Sequence, residues 1–291
     1  LSVAWRPRAG GPVPVEFRFF GRREWTTFNA ILRRRMIRAG LTGHVEHPGV
    51  LSVDGGERLS LVVLAQACHA VPMRRWSSLI DAHLVHLRRA GAGDEIDAVS
   101  ARARLKVRLV PEDLAPGIAE PYAVGMLAGL VLDLPHTVVG VSDAQLQGWG
   151  IEVGDAWEQA WVNVAEEAPP EEIERIHVDG RDIVSIYGDS FFTASKVAFL
   201  PDLIGPVGPS GALVTVPRRH TILAYPLGAV PAGPVLTPLV LNTRRLHVEG
   251  PGSVSPHLYW WREGELTWVP VSVDDDARIE LFPPEDLASS L

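Results

Sequence analysis

The sequence predicts an α+β protein with largely antiparallel sheets and packed helices, in two closely associated halves. Three observations predict it. Short apolar segments are joined by tight turns at Asp54-Gly55, Asp179-Gly180 and Glu263-Gly264, and such turns join antiparallel strands. Helical apolar spacing is confined to separate stretches. Strands and helices do not alternate in the regular order of a parallel sheet.

Residues 1–14 are rich in Gly, Pro and Arg and are expected as a loose leader. Phe17, Phe19 and Phe20 form a brief apolar patch. From Arg23 to Arg38, Trp25, Phe28, Ile31, Leu32 and Met36 recur at helical spacing, and Gly40 supplies the stop. Val50 to Leu59 reads as a hairpin and Leu61 to Ala70 as a buried helix, broken by Val71-Pro72. A helix from Met73 to Ala90 follows, with the stripe Trp76, Leu79, Ile80, Leu84 and Leu87. Ala101 to Val110 sets Arg102, Arg104, Lys106 and Arg108 against Ala103, Leu105, Val107 and Leu109. That period of two predicts a strand with its basic face in water. The stretch 111–121 holds three prolines and a glycine. It is expected as the boundary between an N-terminal half, 15–115, and a C-terminal half, 116–291.

Beyond it, Val124 to Asp133 and His136 to Val141 are strand candidates. Ser142-Asp143-Ala144-Gln145 and Asp155-Ala156-Trp157-Glu158 each carry a capping-box pattern that opens a helix. Ile173 to Val178 and Asp182 to Tyr187 flank the Asp179-Gly180 turn. Gly188 to Pro201 reads as a capped helix stopped by its proline. The apolar strands after it are joined by a Pro217-Arg218-Arg219-His220 turn. A helix over Leu236 to Leu246, strands at Tyr259 to Trp261 and Leu266 to Val269, and a short helix in the acidic tail complete the order.

The net charge of −8 argues against nucleic-acid binding by bulk charge, which needs clustered Lys and Arg. Cys68 is the single cysteine, so no internal disulfide is available. The most apolar run, Val124 to Leu134, falls short of the roughly 20 residues that span a bilayer. The first eleven residues lack the apolar core of a signal peptide. A cytoplasmic protein is expected, without nucleic acid, membrane or cofactor.

Four constellations bear on chemistry. Cys68 and His69 precede His83 and His86, which share a helix face at i and i+3; these types suit zinc, but the spacing matches no standard motif. No metal is expected. Asp189, Ser190, Ser195 and His220 hold the types used in acyl transfer. No Gly-x-Ser-x-Gly elbow is present, Ser190 suits a helix cap and Ser195 falls mid-helix, so no catalytic residue is assigned. Arg218, Arg219 and His220 crowd into one hairpin turn, where cationic groups can grip a phosphate or carboxylate. Trp260 and Trp261 are adjacent on a strand, so their side chains point to opposite faces. An exposed tryptophan there would anchor a protein partner.

The chain resembles the YtpQ-like family of uncharacterised bacterial proteins. The resemblance lies in Leu132-Asp133-Leu134-Pro135 with Val138-Val139, Leu146-Gln147-Gly148-Trp149-Gly150-Ile151 and Ala160-Trp161-Val162-Asn163. It continues in Gly188-Asp189-Ser190-Phe191-Phe192-Thr193-Ala194-Ser195 with Leu200-Pro201, in Val214 to His220, and in Ser255-Pro256-His257-Leu258-Tyr259. It implies a bacterial cytoplasmic α+β protein and carries over no catalytic residue. The leading expectation is a non-enzymatic module that binds another protein through the tryptophan pair. The alternative is an enzyme or binding protein for an anionic small molecule, using the 218–220 turn.

Overall fold

The computed structural model describes residues 13–14, 17, 19–41, 43–47, 50–53, 57–91, 96–134, 137–228, 231–249, 252–274 and 278–288. Residues 1–12 of the expected leader and the Asp54-Gly55 turn lie outside them. Helices and antiparallel sheets give the α+β class. The chain divides into two compact units, Leu1–Asp97 with Leu134–Val139, and Ala98–Asp133 with Gly140–Leu291. The division therefore falls at Asp97, ahead of the proline-rich stretch expected as a boundary.

In the first unit, helix α1 (Arg22–Arg38) buries Trp25, Phe28, Leu32 and Met36 at the expected spacing. Strands β1 (Gly43–His47), β2 (Val50–Val53) and β3 (Glu57–Ser60) form an antiparallel sheet. Helices α2 (Leu61–His69) and α3 (Trp76–Gly91) follow, and Phe28, Leu64, Cys68, Trp76 and Ile80 belong to one core with α1.

The second unit opens with helix α4 (Ala98–Arg104) and strand β4 (Leu105–Pro111). The strand expected from Ala101 thus begins as a helix. Ala101 to Arg104 are strong helix formers, whereas β-branched residues enter only with Val107 and Val110. Strands β5 (Ala119–Ala123) and β6 (Met126–Leu134) follow, and β6 pairs with both β4 and β5. The 111–121 stretch therefore lies within one sheet, with Pro111 ending β4, Pro121 inside β5 and Pro116 between them.

A short strand, β7 (Thr137–Gly140), precedes helices α5 (Asp143–Trp149) and α6 (Val153–Ala165). Ser142 caps α5 as expected, its hydroxyl accepting from the Gln145 N–H while Gln145 reaches back. Helix α6 starts two residues before Asp155, the residue expected to open it.

A six-stranded sheet follows from β8 (Glu172–Val178), β9 (Arg181–Tyr187), β10 (Ala212–Arg218), β11 (Thr221–Pro226), β12 (Leu258–Arg262) and β13 (Glu265–Val269). All neighbours are antiparallel, in the order β13-β12-β10-β11-β9-β8. The β8–β9 turn has positive φ at both Asp179 and Gly180, the conformation that an Asp-Gly hairpin favours.

The segment before β10 departs from expectation. Ala194–Phe199 is a 3-10 helix, and α7 (Leu200–Ile204) begins at Leu200. Pro201 therefore sits in the first turn of a helix, where its missing N–H has no role to lose, and does not stop one. Helix α8 (Gly233–Glu249) packs on one sheet face, with Leu213, Tyr225, Val235, Leu239 and Trp260 in a shared core. The chain closes with the β14 (Val271–Val273) and β15 (Ile279–Leu281) pair and helix α9 (Glu285–Ala288). Among the described residues no helix is long and apolar enough to cross a membrane.

Candidate basic site at the β10–β11 turn

Strand β4 is the foundation of the site. Its period of two holds, with Leu105, Val107 and Leu109 buried, but its basic residues Lys106 and Arg108 are half-buried, not fully in water. Lys106 and Arg108, two residues apart and so on one face, lie over Phe192 and Phe191. The Gly188–Phe199 segment covers that face.

Two backbone ties hold the cover. The Leu109 N–H donates to the Ser195 hydroxyl at 3.2 Å, and the Ala194 N–H donates to the Arg219 carbonyl at 2.9 Å. The Arg219 N–H in turn donates to the Gly252 carbonyl at 2.8 Å. Gly252 has φ +71°, and a Cβ there would meet the Arg219 side chain at 2.7 Å, so only glycine fits.

Two charge environments result. Around Phe192 charges are balanced: Lys106 Nζ lies 2.9 Å from Asp133 Oδ2 and 3.1 Å from Glu167 Oε1. Burial pulls the ammonium down, but the bonds to Asp133 and Glu167 outweigh it and hold its pKa above the ordinary value. Ser190 Oγ donates to the same Glu167 oxygen at 2.8 Å and accepts from the Phe192 N–H, fixing the turn. Lys196 donates to the Val164 and Glu167 carbonyls at the C-terminal end of α6, where the helix dipole favours a cation. Burial lowers its pKa.

Around Phe191 charges are not balanced. The Arg219 guanidinium stacks on the ring at 4.5 Å, and that of Arg108 lies 5.7 Å from it. Among the described residues neither forms a salt bridge, and Arg108 Nε and Arg219 Nη1 are buried without a hydrogen-bond partner. Arg219 is only 8% exposed. Burial pulls its pKa down to about 9, with the charge of Arg108 adding to the effect. Burial likewise brings Arg108 down to about 10. Both remain cations at neutral pH.

His220 completes the site as a neutral imidazole. Its Nδ1 lies 2.8 Å from the Gly188 carbonyl and must donate to it, which leaves Nε2 to accept from Arg219 Nε at 2.7 Å. Burial, then the charge of Arg219, lowers its pKa. Arg218 does not join it: its Nε donates to Thr221 Oγ1 at 2.9 Å.

Of the three turn residues expected to act together, the structure therefore keeps Arg219 and His220, sets Arg218 apart and brings in Arg108. The signal for Arg108 is present in the sequence as a run of cations on one strand face with no acid among them. Read locally, such a face belongs in water, because nothing nearby in the chain marks the covering segment.

The nucleophile set does not assemble either. Ser190 is bonded to Glu167, Ser195 is fully buried against Leu109, and Asp189 accepts from the Tyr187 hydroxyl. Neither serine reaches the imidazole. Among the described residues no three metal-ligating groups converge. Cys68 is buried in the first unit, His69 packs on Phe19 and Phe20, and the His86 side chain lies outside the described residues.

The tryptophan pair differs from expectation as well. Trp260 and Trp261 do point to opposite faces, but they are 5% and 6% exposed. Helix α8 shares a core with Trp260, whose Nε1 donates to the Ser210 carbonyl. On the other face the 3-10 segment packs on β10 and β11, and β5 on β13. Covered on both faces at β12, the sheet leaves neither indole free to anchor a partner.

Comparison with protein-family models, curated proteins and solved structures finds no match. The chemistry of the site rests on its own geometry.

Proposed function

We propose that this protein binds a small anionic molecule between Arg108 and Arg219. One observation carries the reading: two neighbouring guanidinium groups, sharing the Phe191 ring, have buried nitrogens and no carboxylate among the described residues. A buried charge is costly unless paired, and two like charges side by side are costlier. A phosphate or carboxylate would satisfy both, and guanidinium is the group best suited to hold it. The site has cations and a neutral imidazole acceptor but no activated nucleophile, which favours binding over catalysis. The YtpQ-like resemblance and a cytoplasmic location belong to the same proposal.

Thermal melting with inorganic phosphate or acetate tests it. At about 100 times Kd, a bound ligand adds roughly 2.7 kcal/mol, a rise of several degrees in melting temperature. Arg219→Gln and Arg108→Gln are expected to abolish the rise. No response to either anion in the wild type would remove the proposal.

A second reading, binding of another protein, has one observation in its favour. Strand β8 ends the six-stranded sheet among the described residues and is exposed from Glu172 to His177, Ile173 and Ile176 included, so its edge can accept a strand. A concentration-independent monomer by sedimentation, joined to no strand-peptide binding, would end that reading.

A further inference from the structure

A cleft of about 400 Å³ lies between α8 and the β12–β13 side of the sheet, apart from the Arg108–Arg219 pair. Its volume falls in the range of small-molecule pockets. Val240, Leu258, Val269 and Val271 give it an apolar lining. Its innermost polar groups are already satisfied, since the Thr243 hydroxyl donates to the Leu239 carbonyl and pairs with the Thr215 hydroxyl. The interior therefore behaves as apolar.

The remaining polar lining differs in kind. Arg244, His247 and His257 line the cleft, and among the described residues no carboxylate does. Trp268, 38% exposed, stands edge-on to His257 at 5.7 Å. Burial keeps both imidazoles below their ordinary pKa. His257 adds to the effect at His247; at His257 the opposing pull of Glu112 does not cancel it, and Arg244 reinforces it. At neutral pH Arg244 is then the one full charge among the described residues lining the cleft, with two neutral imidazoles as hydrogen-bonding groups beside it.

From an apolar slot bearing a single cation, we propose a second ligand site, one for an amphiphilic monoanion such as an alkyl or aryl carboxylate. The apolar body lies on Val240, Leu258 and Val269, and the carboxylate meets Arg244, His247 and His257. The site is separate from the anion seat at Arg219, which is built of two cations on the Phe191 ring.

Isothermal titration with octanoate and with 1-octanol, which has the same chain and no charge, tests the inference. Octanoate is expected to saturate one site, with octanol weaker by about tenfold or more, the scale of a charge-assisted hydrogen bond. Arg244 is exposed, so Arg244→Gln leaves the fold intact; it is expected to weaken octanoate about tenfold and leave octanol unchanged. Val240→Trp fills the slot and is expected to abolish binding of both, and excess phosphate is expected not to compete. Failure of octanoate to saturate the wild type overturns the inference. So do equal octanoate affinity in Arg244→Gln, displacement by phosphate, or wild-type affinity in a folded Val240→Trp variant.

Discussion

Replacing Lys106 by methionine keeps most of the side-chain volume over Phe192 and removes the cation shared by Asp133 and Glu167. The ammonium lies 3.1 Å from Glu167, which is 17% exposed. At an effective dielectric of about 20 that contact is worth roughly 5 kcal/mol before desolvation. Asp133 is 36% exposed, so its contact is screened and adds about 1 kcal/mol at most. Subtracting the cost of burying the ammonium leaves an expected loss of about 3 kcal/mol, the lower end of the range for breaking a buried pair. Urea unfolding at pH 7, followed by tryptophan fluorescence, measures it for Lys106→Met, Glu167→Gln and the double variant. The two losses are expected to be non-additive by at least about 1.5 kcal/mol, because Glu167→Gln leaves only the solvent-screened Asp133 charge, and no buried one, when the ammonium is removed. A single-variant loss below about 1 kcal/mol, or additive losses, would refute the reasoning.

Two further outcomes follow from buried titrating groups. Burial pushes the Cys68 thiol up to about 12, so it is expected to stay unmodified by a thiol reagent in the native protein and to react fully in denaturant; rapid native labelling would contradict its burial. His220, His247 and His257 all sit below the ordinary imidazole pKa, burial being the first cause in each. The unfolded chain gains protons as pH falls through about 6.5 while the folded chain resists them, so stability is full above that pH and declines below it. Melting temperature is expected to drop between about pH 7.5 and 5.5, with a shallower drop in His220→Asn; a flat profile would show that the imidazoles are not held neutral.

Local signals are legible where local chemistry decides the backbone. The Ser142 capping box, the Asp179-Gly180 turn and the apolar stripe of α1 all form as the sequence predicts. What the sequence hides is decided at long range. The alternation of β4 is visible, yet which face is wet depends on Gly188–Phe199, some eighty residues on. The same holds for Trp260 and Trp261, whose opposite orientations follow from strand geometry while their burial depends on α8 and the 3-10 segment. Arg219 and His220 stand out by type and crowding. Their partner Arg108 stays hidden because a cation on a strand is ordinarily solvated.

The ties around Arg219 have a consequence for how any ligand would be felt. Leu109, Ser195, Arg219 and Gly252 come from four distant parts of the chain and are joined by hydrogen bonds that meet at the site. No excised peptide can reproduce such a seat. An anion held there would clamp β4, the 3-10 segment, the hairpin and the stretch after α8 together, so occupancy becomes resistance to unfolding across the whole second unit. Slower amide exchange at Leu109 and Ala194, far apart in sequence, would record binding as clearly as heat released in a calorimeter.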